Sequence, residues 1–261
     1  MQLKTYRTQA RLLLKGHWQQ LATMVAWWLL ITMLLDAGLE GLFGAGTFWY
    51  QMGDTFASYF FYFVFLNAVF LATLKLSYHK TKGINAITPL FKKPFYTDLV
   101  ILNLIQQVLN WGLLLIGLIP FYQLIGWQRE LNFSYNGLTS AAPYLMKLSQ
   151  QPANYFLVLT FLLVLLVITL IQPIILAYYQ ILVLLKFEFP QASIKMILSL
   201  STVILKGHWL RLLGLVLSFI GWEIVVYLTA GIGFLWFYPY LIMSVTLFYQ
   251  DIKKDRIQVI Q

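Results

Sequence analysis

The chain has 261 residues, of which 60% are hydrophobic and 10% charged, and it contains no cysteine. A soluble domain carries about 25% charged residues, so a water-soluble globule is excluded; disulfides, thiolate metal sites and a thiol nucleophile are excluded with cysteine. The net charge of +9 would suggest nucleic acid for a soluble protein, but here the basic residues sit in short loops between apolar runs, as the positive-inside rule requires, and no nucleic-acid partner is expected.

Met1 to Trp18 carries Lys4, Arg7, Arg11 and Lys15 among Leu12, Leu13 and Leu14. This predicts a short interfacial helix on the basic side. The apolar runs that follow are long enough to cross a bilayer, roughly 20 residues each. The first span is predicted over 19–43, with Trp27 and Trp28 inside it and Asp36 and Glu40 toward its far end. No small-residue cleavage site follows it, so it is read as a retained helix and not a leader. Ala45 to Ser58 is expected as a polar and aromatic outer loop. The second span covers 59–77 and opens on the aromatic run Tyr59 to Phe63.

His79 to Thr97 is a basic inner loop that Pro89 and Pro94 keep from forming a long helix. The third span covers 98–125, with Pro120 ending or kinking it. Gly126 to Asn154 is the longest outer segment, with a short helix expected near Pro143 to Ser149. The fourth span covers 155–185. At 1.5 Å per residue it is about 45 Å long, so it must tilt, protrude or bend, with Pro173 the expected bend. Pro190 suits a helix first turn, and Ser193 to Leu205 reads as a second interfacial helix. The fifth span covers 209–229, Gly231-Ile232-Gly233 makes a tight outer turn, and the sixth covers 234–249. The tail from Asp251 to Gln261 is polar and basic.

Of the 18 Lys and Arg residues, all but Arg129 and Lys147 fall on one side of this arrangement. That bias predicts both termini in the cytoplasm. The expected fold is all-α: one membrane-embedded domain over 1–261, six transmembrane helices in three hairpins, with cytoplasmic interfacial helices. No separate soluble domain is expected.

Leu14-Lys15-Gly16-His17-Trp18 recurs as Leu205-Lys206-Gly207-His208-Trp209, and Lys92 to Phe95 forms a diverged middle copy. Each copy precedes an outward-going span. In one reading His17 and His208 sense pH or bind anionic headgroups; an unperturbed imidazole titrates near about 6.5. In the other, Lys15, His17, Trp18, Lys206, His208 and Trp209 are interface anchors, and glycine lets the chain turn into the bilayer.

Polar residues inside spans are the remaining candidates. Glu223 lies 14 residues past Trp209, about 21 Å along a helix, where a carboxylate is costly and faces a cavity or a partner. It reads either as a proton- or cation-linked site or as a hydrogen bond between helices. Asn103, Gln106, Gln107 and Asn110 share one face of the third span, as a hydrated lining or as interhelical glue. Asn67, Gln172 and Gln180 could meet them from other helices.

Enzyme signatures are absent: no HExxH, no Gly-rich phosphate loop with lysine and no GxSxG. His17, His79 and His208 lack a carboxylate pattern that would hold a metal. No cofactor is expected.

The C-terminal residues carry a resemblance. Leu205-Lys206-Gly207-His208, Leu217-Ser218-Phe219-Ile220-Gly221-Trp222, Leu228-Thr229, Gly231-Ile232-Gly233, Leu235-Trp236, Pro239-Tyr240 and Phe248-Tyr249 resemble domain-of-unknown-function family 975, uncharacterised bacterial integral membrane proteins common in Firmicutes. The match is dense over roughly 190–252 and looser elsewhere. Leu205 stands where the family often has Met, and Glu188-Phe189-Pro190 where it often has an Asp-Asn-Pro-like step. The resemblance implies a multipass membrane protein of unknown activity. More distantly, the layout is similar to the membrane domains of some glycerophosphodiester phosphodiesterases, whose catalytic barrel is absent here.

The expected function is non-enzymatic: binding or moving a small or lipid-like solute at the bacterial plasma membrane. Glu223 and the third-span stripe would form its polar site. The alternative is a scaffold or immunity-like partner of another membrane protein, and an enzyme acting on lipid comes third.

Overall fold

Leu3, Tyr6, Ala10 and Leu14 recur every third or fourth residue along the N-terminal segment, and that segment is helix α1, Leu3–Leu14. In this computed structural model, residues 3–80, 87–92, 95–118, 121 and 152–260 are described. They form α2 (Trp18–Phe43), α3 (Phe48–Ala57), α4 (Phe63–Ser77), α5 (Phe95–Leu118), α6 (Pro152–Glu188), α7 (Ile194–Leu205), α8 (Trp209–Leu217), α9 (Ile220–Leu228) and α10 (Phe234–Ile260). The described residues are all-helical, without strands. Among the described residues, five stretches are long and apolar enough to cross a membrane: Trp18–Phe43, Phe48–Ser77, Phe95–Gly117, Tyr155–Glu188 and Trp209–Val226.

The chain divides into two compact units, residues 1–105 with 176–261, and residues 106–175. In the first, α10 is the central element, and α1, α2 and α4 pack on it. Tyr6, Ala10 and Leu14, spaced by four, lie on one face of α1 and are fully buried. Ring contacts follow α1 and α2 along α10: Tyr6 meets Phe248, Trp18 meets Tyr240, and Trp28 stacks on Tyr238. In the second unit, Phe121 packs edge-on against Phe161. Gly117 there lies so close to Ile168 that an added Cβ would come within 2.5 Å of its Cδ1.

Several element boundaries differ from expectation. The outer loop expected over Ala45 to Ser58 is mostly helix. Thr47 caps α3 by accepting from the Tyr50 N–H at 3.3 Å, and the Tyr50 hydroxyl donates to Asp36 at 2.6 Å. A π-helical turn, Ser58–Tyr62, joins α3 to α4. The polar residues that suggested a loop are instead capping and cross-helix groups.

The fifth predicted span is broken at Ser218 and Phe219. The Ser218 hydroxyl donates to the Leu215 carbonyl at 2.6 Å, and the Phe219 N–H bonds back three residues to Val216. Such local bonding competes with the helical ladder. The sixth span does not stop at 249: α10 continues to Ile260, so the tail is helix. The fourth runs to Glu188, with Pro173 inside the helix. The third begins at Phe95, and its described helix covers Phe95–Leu118, with nearly all of 119–125 outside the described residues. The expected segment Gly126 to Asn154, with its short helix near Pro143, lies almost wholly outside the described residues.

Candidate functional site

The two Lys-Gly-His-Trp copies share one backbone geometry. A 12-residue helix precedes each, α1 or α7. Gly16 and Gly207 then take φ of +87° and +81°. His17 and His208 follow at φ −119° and −114°, both with ψ of 0°. The histidine N–H groups bond Leu14 and Leu205 carbonyls at 2.8 Å in each copy, and their own carbonyls open the next helix by accepting from Leu21 and Leu212. The left-handed glycine reverses the chain; histidine starts the following helix. The middle copy has no glycine, and a 3-10 turn over Thr88–Phe91 precedes it.

An added Cβ at Gly16 or Gly207 would meet nothing within 4 Å. Gly16→Ala and Gly207→Ala are therefore expected to cost about 1–2 kcal/mol each through backbone strain alone. Equilibrium unfolding in mixed micelles checks this, and equal stability of both variants with the parent would refute it.

Beyond the first copy lies an open cavity of about 640 Å³. It starts at Gly16 and follows α2 through Gln19, Gln20 and Thr23, then Met24, Trp27 and Ile31; Phe65 and Ala68 of α4 and Ile87 complete it. The α2 residues recur at helical spacing, so they line one face. From Gly16 to Ile31 the groove is about 22 Å long at 1.5 Å per residue. Its first part offers amide and hydroxyl groups, and its deeper part only apolar and aromatic surface. Lys15, exposed, and His17, half-buried, stand at the polar end.

In the second copy the corresponding region is covered. Leu3 of α1 closes on Gly214, where an added Cβ would lie 3.0 Å from its Cδ1. Arg211 of α8 is hydrogen-bonded to Tyr6 and ion-paired with Asp251. Its Nη1 also lies 3.2 Å from the His208 Nδ1. Trp209 packs against Tyr178, and Lys206 is exposed.

The predicted intramembrane polar residues fall in both units. Asn103 is buried and donates to the Tyr59 carbonyl at 2.9 Å. Tyr96, two turns earlier on α5, donates to the Phe60 carbonyl at 2.7 Å. Both acceptors lie in the π turn, which sets carbonyls out of the helical register. Gln106, Gln107 and Asn110 are half-buried and belong to the second unit, whereas Asn103 belongs to the first. Glu223 is half-buried on α9, and no hydrogen bond or ion pair among the described residues reaches its carboxylate. Asn67 accepts from the Tyr179 hydroxyl at 3.0 Å, and Gln180 donates to Thr246 and to the Ile242 carbonyl.

The basic ends of the helices carry groups that sequence reasoning missed. Asp251 accepts from Tyr6 and pairs with Arg211 at 3.0 Å. Burial alone would raise its carboxyl, but the Tyr6 hydroxyl and Arg211 more than offset this and hold it below the usual range. Burial and the Asp251 hydrogen bond push the Tyr6 phenol up. Lys186, 2% exposed, pairs with Asp98 at 2.6 Å. Glu188 pairs with Lys253 at 2.6 Å. The groove had a legible sequence signal in the shift from glutamine and threonine to Met24, Trp27 and Ile31 on one helical face. The ion pairs had none, because their members are far apart in the chain. Among the described residues, no three His, Asp or Glu side chains gather as a metal site.

No curated protein and no solved structure matches the chain. One family model, described as a protein of unknown function (DUF975), matches residues 1–256. With all but the last few residues matched, the chain belongs to the DUF975 family.

Proposed function

We propose that this protein binds one membrane lipid at a time in the groove along α2, with the headgroup at Gln19, Gln20 and Thr23 and the acyl part against Met24, Trp27, Ile31 and Phe65. The observation that carries the reading is the groove's length together with its polarity gradient. A bilayer with its headgroups is about 40–45 Å thick, so a 22 Å groove has the depth of one leaflet. A small polar solute would leave the aromatic half unused.

In this reading the chain crosses the bacterial plasma membrane six times as three hairpins, with both termini in the cytoplasm. The sixth crossing is the first half of α10. The groove then opens at the cytoplasmic leaflet, where anionic lipids meet Lys15 and its basic neighbours. The protein binds or moves its lipid without catalysing a reaction on it. Glu223 is not needed for the lipid site.

The absence of cysteine supplies the test. Thr23→Cys introduces one thiol at the groove's polar end, and Leu12→Cys, on an exposed position of α1, serves as control. In lipid-free detergent both thiols should react with a polar maleimide. Added phosphatidylglycerol at about ten times its Kd should slow Thr23→Cys about tenfold and leave Leu12→Cys unchanged. Equal rates at Thr23→Cys with and without lipid, in a folded chain, would overturn the proposal.

A further inference from the structure

On the basic side of the molecule, the carboxylates of the described residues are paired with cations. Lys186 has Asp98, Lys253 has Glu188, and Arg211 has Asp251 with Asp255 at 3.9 Å. These pairs use every carboxylate of the described residues on that side, and Arg7 and Arg11 belong to none of them. Neither has a carboxylate or carbonyl partner among the described residues.

Both guanidinium groups are nevertheless held in place. Arg7 lies over the Phe219 ring at 5.2 Å and Arg11 over the Tyr240 ring at 5.1 Å. The two rings touch edge to face at 4.9 Å and are 1% and 2% exposed. They form a rigid platform, so much of the arginine ordering that ligand binding would require is already in place. Arg7 and Arg11 are four residues apart on α1 and so share a face, with Cβ atoms about 5–6 Å apart. The Tyr240 hydroxyl, on the ring that carries Arg11, is buried without a partner among the described residues.

We infer that Arg7 and Arg11 form a two-arginine phosphate site, taking the phosphate group of an anionic lipid headgroup. Guanidinium forks match phosphate oxygens in paired hydrogen bonds, and a phosphate supplies the counter-charge that the described residues do not. The site is built from α1, Phe219 in the break between α8 and α9, and α10, and shares no residue with the groove along α2. It therefore stands or falls separately from the proposed lipid groove.

The test uses the purified full chain in neutral detergent and measures binding by calorimetry. The probes are short-chain phosphatidylglycerol, short-chain phosphatidylcholine and inorganic phosphate alone. The variants are Arg7→Gln, Arg11→Gln and the double replacement, with Lys195→Gln on α7 as a general charge control. Each arginine replacement should weaken phosphatidylglycerol about tenfold, while Lys195→Gln should not. Arg7→Lys with Arg11→Lys keeps the charge and the ring contact but loses the fork, and should bind between parent and double Gln variant. Binding of phosphatidylglycerol alone supports the headgroup source; equal binding of inorganic phosphate supports the same site with a soluble phosphate ligand. Phosphatidylglycerol affinity unchanged by the double replacement, with unfolding temperature also unchanged, would overturn the site.

Discussion

Lys186→Met is expected to lower the unfolding free energy by about 3 kcal/mol, near the low end for breaking a buried ion pair. Lys186 is 2% exposed, and its ammonium has three donors to satisfy. Asp98 takes one at 2.6 Å, and the Pro190 and Ala192 carbonyls take the others at 2.7 and 2.8 Å. The side chain thus closes the turn after α6 and ties it to the first turn of α5. Asp98 is 24% exposed, so it keeps some hydration when Lys186 is lost, which is why the low end applies. Asp98→Asn should cost a similar amount, because it leaves a buried ammonium without counter-charge. The double variant should be more stable than the sum of the single losses predicts. Unfolding curves in mixed micelles for the four chains decide the matter. A Lys186→Met chain as stable as its parent would mean the pair contributes nothing.

The fold was legible where a local signal decides it. Apolar runs located α2, α5, α6 and the core of α4, and Ser193 marked the start of α7 through its cap on Met196. The repeated Lys-Gly-His-Trp carries one local geometry, since the φ angles of Gly16, Gly207 and both histidines match to within a few degrees. What failed were places where polarity stood for irregular backbone. Gln51, Asp54 and Ser58 looked like loop residues, yet α3 and the π turn run through them because Thr47 and Tyr50 anchor that helix to α2. The tail from Asp251 reads only as polar and basic, with the sixth span ending at 249. Instead Asp251 and Lys253 extend α10, since their partners Arg211 and Glu188 wait on neighbouring helices.

Sites were less legible for a related reason. Rarity drew attention to Glu223 and to the α5 stripe, since charged and amide groups are uncommon in spans. Rarity does not say what a side chain touches. Asn103 turned out to serve the Tyr59 carbonyl, a role created by a π turn that no residue pattern announces. The groove along α2 is built from common residues, and only the packing of α2 against α4 leaves it open. Arg7 and Arg11 read as members of a basic interfacial helix; the aromatic rings beneath them come from residues more than two hundred positions away.

Glu188→Gln is expected to cost about 2–3 kcal/mol, from a charged hydrogen-bond centre that joins the ends of α4 and α6 to α10. Glu188 closes α6. One carboxylate oxygen accepts from the Tyr78 hydroxyl at 2.5 Å, just past α4; the other accepts from Tyr249 at 2.5 Å and Lys253 at 2.6 Å, both on α10. An amide keeps the shape but offers one acceptor oxygen and no charge. The pH dependence separates charge from packing. Burial alone would lower the Lys253 ammonium, but the hydrogen bond and charge of Glu188 more than offset it and hold the value above that of a free lysine. A raised lysine value stabilises the fold fully below the unfolded value, near about 10.4. The contribution is lost as pH rises through the folded value. Burial and Glu188 push the Tyr78 phenol up as well, so it acts in the same alkaline direction. The parent should therefore lose stability steeply above the ordinary lysine range. Glu188→Gln should start lower at neutral pH and fall less over that range. Parallel stability curves from neutral to alkaline pH would show that Glu188 acts through shape alone, and the ion pair would drop out of the account of how α4, α6 and α10 are held together.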